Sequence, residues 1–318
     1  MPMIQCLNEK AASLTVAICT FKRPESLARL LGALWEQAYL VSSSIEIMIV
    51  DNDPNASACG LVNGIKPPVP WKLRYFVEPA PGVSYARNRC LRESNTDFIV
   101  FIDDDEIPQP DWLVSLLETQ VATDAGIVCG PVIPRFESPP PNWMRKGKFF
   151  ERKRFTSGTK ITFKDSRSGN VLIRRDTIAL AGREFDTRYG TSGAEDTLFF
   201  KRAEESGVTI FWSDKAIVYE DIPADRMKLK WLARRAFKGG QNWVRILAES
   251  NSSIWLPMAF NGIASASFSL IFIVPSLIIS HIIAARLVIR FAGGLGKATA
   301  WFAARKIRNQ LPVSHYIG

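Results

Sequence analysis

Short apolar runs alternate with helix-period stretches over the first 130 residues. Runs at 14–21, 45–51, 73–77, 98–103 and 126–131 are rich in Val, Ile and Phe and end at turn residues, which predicts β-strands. Between them, 25–37, 83–93 and 111–122 carry apolar residues at three- and four-residue spacing, which predicts helices. Regular alternation of strand and helix implies an α/β fold: a parallel sheet covered by helices on both faces. Three prolines at 139–141 close this half. The following thirty-odd residues are basic and lack periodic apolar positions, so a long loop is expected there. Further elements are expected between Gly169 and Trp212.

The pattern changes beyond Pro223. Residues 226–248 interleave Arg and Lys with Trp231, Leu232, Phe237, Trp243 and Leu247, as in a basic amphipathic helix. From 250 to 285 there is no Asp, Glu, Lys or Arg, and every charged residue after that is basic: Arg286, Arg290, Lys297, Arg305, Lys306 and Arg308. The apolar stretch 254–285 exceeds the roughly 20 residues that cross a bilayer, with Pro257 and Pro275 as expected breaks. Basic flanks on both sides favour two cytoplasmic ends, hence a re-entrant hairpin or a helix pair lying in the interface. Three divisions follow: a catalytic domain over 1–225, the basic helical segment 226–249, and a membrane-associated hydrophobic region with its basic tail over 250–318. The first residues lack an apolar core of leader length, so the catalytic part is expected on the cytoplasmic side of a membrane.

Composition narrows the chemistry. The 318 residues hold 40 Lys and Arg against 31 Asp and Glu, a net charge of +9. Such a surplus suits either nucleic acid or an anionic membrane surface, and its place beside the apolar run favours the membrane. No aromatic and basic sheet motif speaks for nucleic acid. Five cysteines (Cys6, Cys19, Cys59, Cys90 and Cys129) form no C-x-x-C pair, which excludes a zinc knuckle and argues against a disulfide framework. The only histidines are His281 and His315, so a Ser/His/Asp triad in the first 225 residues lacks its base.

Two strands run into acids: Asp51 and Asp53 after the second, and Asp103, Asp104, Asp105 and Glu106 after the fourth. The carboxyl edge of an open parallel sheet is where ligands bind. Adjacent carboxylates repel unless a cation neutralises them, and hard divalent ions take one or two carboxylates plus substrate phosphates. The first strand leads into Cys19-Thr20-Phe21-Lys22-Arg23-Pro24 without the glycines of a dinucleotide loop. A bound diphosphate would therefore need a metal and arginines. The run Gly293-Gly294-Leu295-Gly296-Lys297-Ala298 superficially suggests a phosphate loop, but it has the wrong spacing and lies beside the membrane-prone stretch.

Five segments taken in order resemble family 2 glycosyltransferases of the GT-A fold. They are Thr-Val-Ala-Ile-Cys-Thr-Phe-Lys-Arg-Pro, Val-Asp-Asn-Asp-Pro-Asn, Pro-Gly-Val-Ser-Tyr-Ala-Arg-Asn, Phe-Ile-Asp-Asp-Asp-Glu and Gly-Ala-Glu-Asp-Thr. Within that family the chain is similar to bacterial exopolysaccharide enzymes of the succinoglycan glucosyltransferase type. The resemblance implies that Thr20, Arg23, Asp51, Asp53, Arg87, Asn88, Asp103 and Asp104 line the nucleotide-sugar site. It makes Asp105 the ligand of Mg²⁺ or Mn²⁺, and Asp196 the base that takes the acceptor proton, with Glu195 as alternate or acceptor-orienting group. Relatives carry a metal-binding histidine near Val218, where this chain offers Glu220 instead. The implied reaction moves a hexose, glucose from UDP-glucose, with inversion onto a polyprenyl-diphosphate-linked saccharide at the cytoplasmic membrane. Two other readings of the layout stand beside it: a sugar-phosphate nucleotidyltransferase, which usually has a glycine-rich loop, and a catalytically silent membrane scaffold.

Overall fold

The computed structural model describes residues 13–37, 45–69, 71–190 and 193–308. The leader reading of the first residues, Cys6 and His315 lie outside them. Eight strands form one sheet in the order β3 (Lys72–Val77), β2 (Ile45–Asp51), β1 (Leu14–Thr20), β4 (Phe98–Asp103), β9 (Asn170–Arg174), β6 (Ile127–Cys129), β10 (Ile210–Trp212) and β8 (Thr159–Ile161). Strands β1 to β4 are parallel, as the alternation predicted. The sheet is not parallel throughout, because β9 enters between β4 and β6 and runs against both. A second sheet of three strands has the order β5 (Glu106–Pro108), β11 (Val218–Ile222) and β7 (Val132–Phe136).

Strand alternation sorts the core into two faces. Leu14, Val16 and Ile18 of β1 and Val100 and Ile102 of β4 pack with Leu27, Leu30, Leu31 and Leu34 of α1 (Pro24–Trp35) and Trp112, Leu113 and Leu116 of α4 (Trp112–Thr123). The intervening Ala17, Ile99 and Phe101 pack on the other side, with Ala86 and Cys90 of α3 (Val83–Glu93) and Phe199 and Phe200 of α7 (Glu195–Glu205). The result is helix, sheet, helix. A short α2 (Cys59–Asn63) and α6 (Arg175–Leu180) complete the helices of this part.

The expected long loop after the prolines contains α5 (Asn142–Gly147) and, further on, β8. Both are too short to leave a periodic signature. The chain separates into two compact units. One holds residues 1–135, 151–191 and 195–221, and the other holds 136–150, 192–194 and 222–318.

The second unit is built on α8 (Leu229–Ser250), α9 (Trp255–Ile279) and α10 (His281–Arg308). Pro275 sits inside α9 and does not end it; Pro257 falls in the first turn, where no intrahelical N–H bond is lost. The break comes instead at Ser280, whose backbone is extended. Partner numbers fall along α10 as they rise along α9, from Asn261 with Lys297, through Ser265 with Arg290, to Phe268 with Arg290. The two helices thus form an antiparallel hairpin. Their backbones approach through glycine: a Cβ on Gly262 would lie 2.6 Å from the Gly294 carbonyl, and one on Gly296 2.1 Å from that of Phe237 in α8. The Gly293-Gly294-Leu295-Gly296 run is therefore a packing seam of three helices. The second unit also buries Met144, Phe150, Ile222, Met227 and Leu232.

Replacing Gly294 by Val places side-chain carbon where Gly262 O and Ala266 N already stand within 3 Å. Overpacking of this kind costs about 1–3 kcal/mol or more. Limited trypsin digestion at Arg286, Arg290 and Lys297 should speed up several-fold in Gly294→Val relative to the parent protein.

Candidate active site

Sheet register brings the expected acids to one edge. Across β1, Thr20 stands opposite Asp51 on one neighbour, and Cys19 stands opposite Asp103 on the other. The carboxyl ends of three adjacent strands, one of them flanked by chain running both ways in strand order, are thus aligned where such sheets bind ligands.

At β1 and β4, Thr20 Oγ1 donates to Asp104 Oδ2 at 2.8 Å. Arg23 Nη1 bridges Asp104 Oδ1 at 3.1 Å and Asp105 Oδ2 at 2.9 Å. Asp104 is buried, and desolvation pushes its carboxyl up to about 6 even though Thr20 and Arg23 oppose the shift. It is the acid that ties the β1 loop to the end of β4, more than a spacer between its neighbours. Asp103 is half-exposed; desolvation raises its pKa, Arg87 opposes this, and Asp105 and Asp196 add to it. Those last two effects put Asp105 and Asp196 within electrostatic reach of Asp103.

Arg87 is the hub. From α3 its guanidinium reaches Glu195 Oε1 at 2.5 Å and Asp103 Oδ1 at 3.3 Å, and it lies over the Phe185 ring. Burial alone would lower its pKa, but Glu195 and then Asp103 leave it raised. Glu195 is 5% exposed, and its Oε2 is buried with no hydrogen-bond partner. Burial raises its pKa against the pull of Arg87. The next residue, Asp196, accepts from Thr197 N at 2.6 Å through Oδ1. Gly193 and Ala194, both with positive φ, lead the chain into this helix, and an alanine held there is strained.

Other expected site residues are used internally. Asp51 is fully buried and accepts from Asp53 N, Ala58 N and the Tyr75 hydroxyl at 2.8–3.0 Å. Asp53 accepts from Asn55 N at 3.1 Å. Asn88 donates to Phe185 O at 2.9 Å and accepts from Phe185 N at 2.7 Å. With both ends of its amide taken and 1% exposure, Asn88 holds the 185 segment. Glu220 is drawn to Arg152 Nη2 at 2.8 Å, where relatives were expected to bind metal.

Four residues were given no role of their own by the sequence reading. Asn52 clamps the loop before α3, donating to Glu78 O and Ala80 O and accepting from Gly82 N. Glu106, in the acidic run, accepts from Asp103 N at 3.1 Å, and desolvation followed by Asp103 pushes its pKa well above the carboxylate range. Arg152 and Arg167 come from the segment without a pattern. Desolvation and then repulsion by Arg152 lower the pKa of Arg167, while Asp196 attracts it.

A Cβ at Gly169 would lie 2.6 Å from Glu106 Oε1 and 2.9 Å from Asp103 Oδ2, so oxygens of two acids converge where only glycine leaves room. Asp104 and Asp105 share Arg23, and Asp103 and Glu195 share Arg87, so the edge offers oxygen donors already set by two guanidiniums. Among the described residues no three His, Cys, Asp or Glu side chains gather closely enough to hold a metal by themselves.

Residues 15–186 match the family profile "Glycosyl transferase family 2". The chain belongs to this family. It is 40% identical over 234 residues to the succinoglycan biosynthesis protein ExoM of Rhizobium meliloti, covering 74% of this chain and 75% of the relative. It is 25% identical over 248 residues to a glucosyl-dolichyl phosphate glucuronosyltransferase of Haloferax volcanii, covering 71% and 74%. Among solved structures it superposes on S. aureus TarS 1–349 in complex with UDP at a TM-score of 0.53, 16% identity and 92% and 91% coverage. A mannosyltransferase from Pyrobaculum calidifontis, in complex with GDP-Man and Mn²⁺, gives 0.56 at 18% identity, covering 96% of this chain and 78% of that one. The fold of this glycosyltransferase is GT-A, as the motif order implied.

Breaking the buried Arg87–Glu195 pair on one side strands a carboxylate, which costs about 3–5 kcal/mol. Arg87→Met should lower the urea midpoint by that equivalent, and Arg87→Met/Glu195→Leu should recover most of it.

Proposed function

We propose that this glycosyltransferase moves a hexose, glucose from UDP-glucose, onto a lipid-linked saccharide in exopolysaccharide assembly, by a single displacement with inversion. The observation that carries it is Arg87 bridging Glu195 and Asp103, which sets the first turn of α7, and Asp196 with it, beside the sheet edge that also holds Asp105. A single displacement by an acceptor hydroxyl needs one general base, the role given to Asp196.

Asp196 takes the proton of that hydroxyl. Glu195 is fixed by Arg87, and its unpartnered Oε2 accepts a hydrogen bond from the acceptor, which orients it. Asp103 meets the nucleoside side of the donor. Thr20, Arg23 and Asp104 keep the β1 loop against β4, so that the donor enters a pre-formed edge. Asp51 and Asp53 hold the loop beside the base. Arg152, set by Glu220, and Arg167 offer guanidiniums to the departing diphosphate. Mg²⁺ or Mn²⁺ held by Asp105 and donor phosphates would neutralise the charge that builds on the leaving group.

The donor reading draws support from the UDP complex of TarS, and the metal from the Mn²⁺ complex of the mannosyltransferase. The product class rests on ExoM, and a lipid-linked acceptor on the name of the Haloferax relative. A membrane site rests on Ser252–Ile279, 28 residues long and apolar enough to cross a bilayer. The exposed side chains of Leu256, Phe260, Ile271, Val274 and Ile278 lie in this stretch. A hairpin returning to its own side keeps the catalytic domain 1–225 and the basic tail on the cytoplasmic face.

With UDP-glucose, GDP-mannose and MnCl₂ as probes, the protein should release UDP from UDP-glucose and transfer glucose to a lipid extract. Asp196→Asn should lower transfer at least 100-fold while calorimetric UDP affinity stays within threefold. Asp105→Asn should weaken UDP binding at least tenfold in Mn²⁺ alone. Wild-type transfer by Asp103→Ala, Asp105→Ala and Asp196→Ala alike would reduce the chain to a scaffold.

A further inference from the structure

We propose that the groove between α9 and α10 binds the phosphate head group of an anionic phospholipid, an assignment that rests on the membrane reading above. The groove has a volume of about 530 Å³, and its walls include Asn261, Ser265 and Phe268 from α9 and Arg290, Gly294 and Lys297 from α10. Its only charges are the two cations. Arg290 Nε donates to Ser265 Oγ at 3.2 Å, and Lys297 Nζ to Asn261 Oδ1 at 3.2 Å. Both partners are neutral, and no acid occurs anywhere from residue 250 to the end of the chain. Arg290 also lies over the Phe268 ring, 5.1 Å from its centre, which fixes its stem and leaves guanidinium N–H groups for an anion.

Apolar side chains ahead of the turn, Val274 at 69%, Ile278 at 90% and Ile279 at 74% exposure, offer hydrocarbon contact beyond the groove, while Arg286 donates to Gly147 O and Ile289 packs with Met144 and Phe150.

The test is flotation of the full chain with vesicles of phosphatidylcholine alone and of phosphatidylcholine with 30 mol% phosphatidylglycerol. The parent protein should prefer the second at least tenfold. Arg290→Gln/Lys297→Gln should lose at least fivefold of that preference, and Ala264→Trp, which fills the groove without changing charge, at least threefold. The charge-matched Lys228→Gln/Lys230→Gln, on the exposed face at the start of α8, should lose less than twofold. Equal losses in the two double variants, or full preference in Ala264→Trp, would overturn the groove and leave diffuse attraction. A parent protein that floats with neither vesicle would overturn the membrane reading as well. UDP-glucose hydrolysis should match the parent in all three variants.

Discussion

Negative charge concentrated at the edge of a buried sheet is the constraint around which the first unit is arranged. Pairing of β1 with β2 and β4 aligns Thr20, Asp51 and Asp103, and the turn after β4 adds three more acids. Desolvation is the leading influence on Asp103, Asp104, Glu106 and Glu195, and it raises each of their pKa values. Removing carboxylates from water is tolerable only with compensating charge or hydrogen bonds. Arg23 and Arg87 supply part of it from two different elements, one in the loop after β1 and one on α3. The remainder is what makes a cation and a phosphate-bearing substrate fitting occupants.

The polar groups divide accordingly. Asp51, Asn52 and Asn88 have their hydrogen bonds answered by backbone and neighbouring side chains, and each ties a loop to the sheet edge. They give the site its shape. Glu195 Oε2, by contrast, is buried without a donor, a condition that costs about 1–3 kcal/mol for a polar group. The same stretch of chain carries Ala194 at positive φ. Cost gathered in the few residues leading into the first turn of α7 is consistent with a segment shaped for a ligand more than for folding stability.

How much of this the sequence disclosed depends on how far each partner lies along the chain. Strands β1 to β4 were legible because short apolar runs, and the acids that end β2 and β4, are local features. GT-A membership was legible because five motifs kept their order. The insertion of β9 between β4 and β6 was not, since strand order is decided by long-range pairing. The motif places Asn88 beside the nucleotide because it records which residue is present; that its amide also holds Phe185, 97 positions away, was not legible. Arg152 and Arg167 were missed for the same reason: their meaning comes from Glu220 and Asp196, which a linear pattern does not connect to them.

In the second unit, hydropathy gave the right length of apolar chain and the wrong place for its turn. Pro275 removes one N–H from a helix whose neighbours continue the ladder, and a single lost bond does not force a reversal when a second helix packs alongside. What sets the turn is register: Gly262 must meet Gly294, and α9 and α10 can keep those backbones in contact only if the chain reverses midway between the contacts, near Ser280. Small residues spaced along α10 therefore determine both where the hairpin folds and how α8 crosses it. The same glycine run that has the letters of a phosphate loop acts here through its lack of side chains, and the basic residues on either side of it, Arg290 and Lys297, are left on the groove it opens.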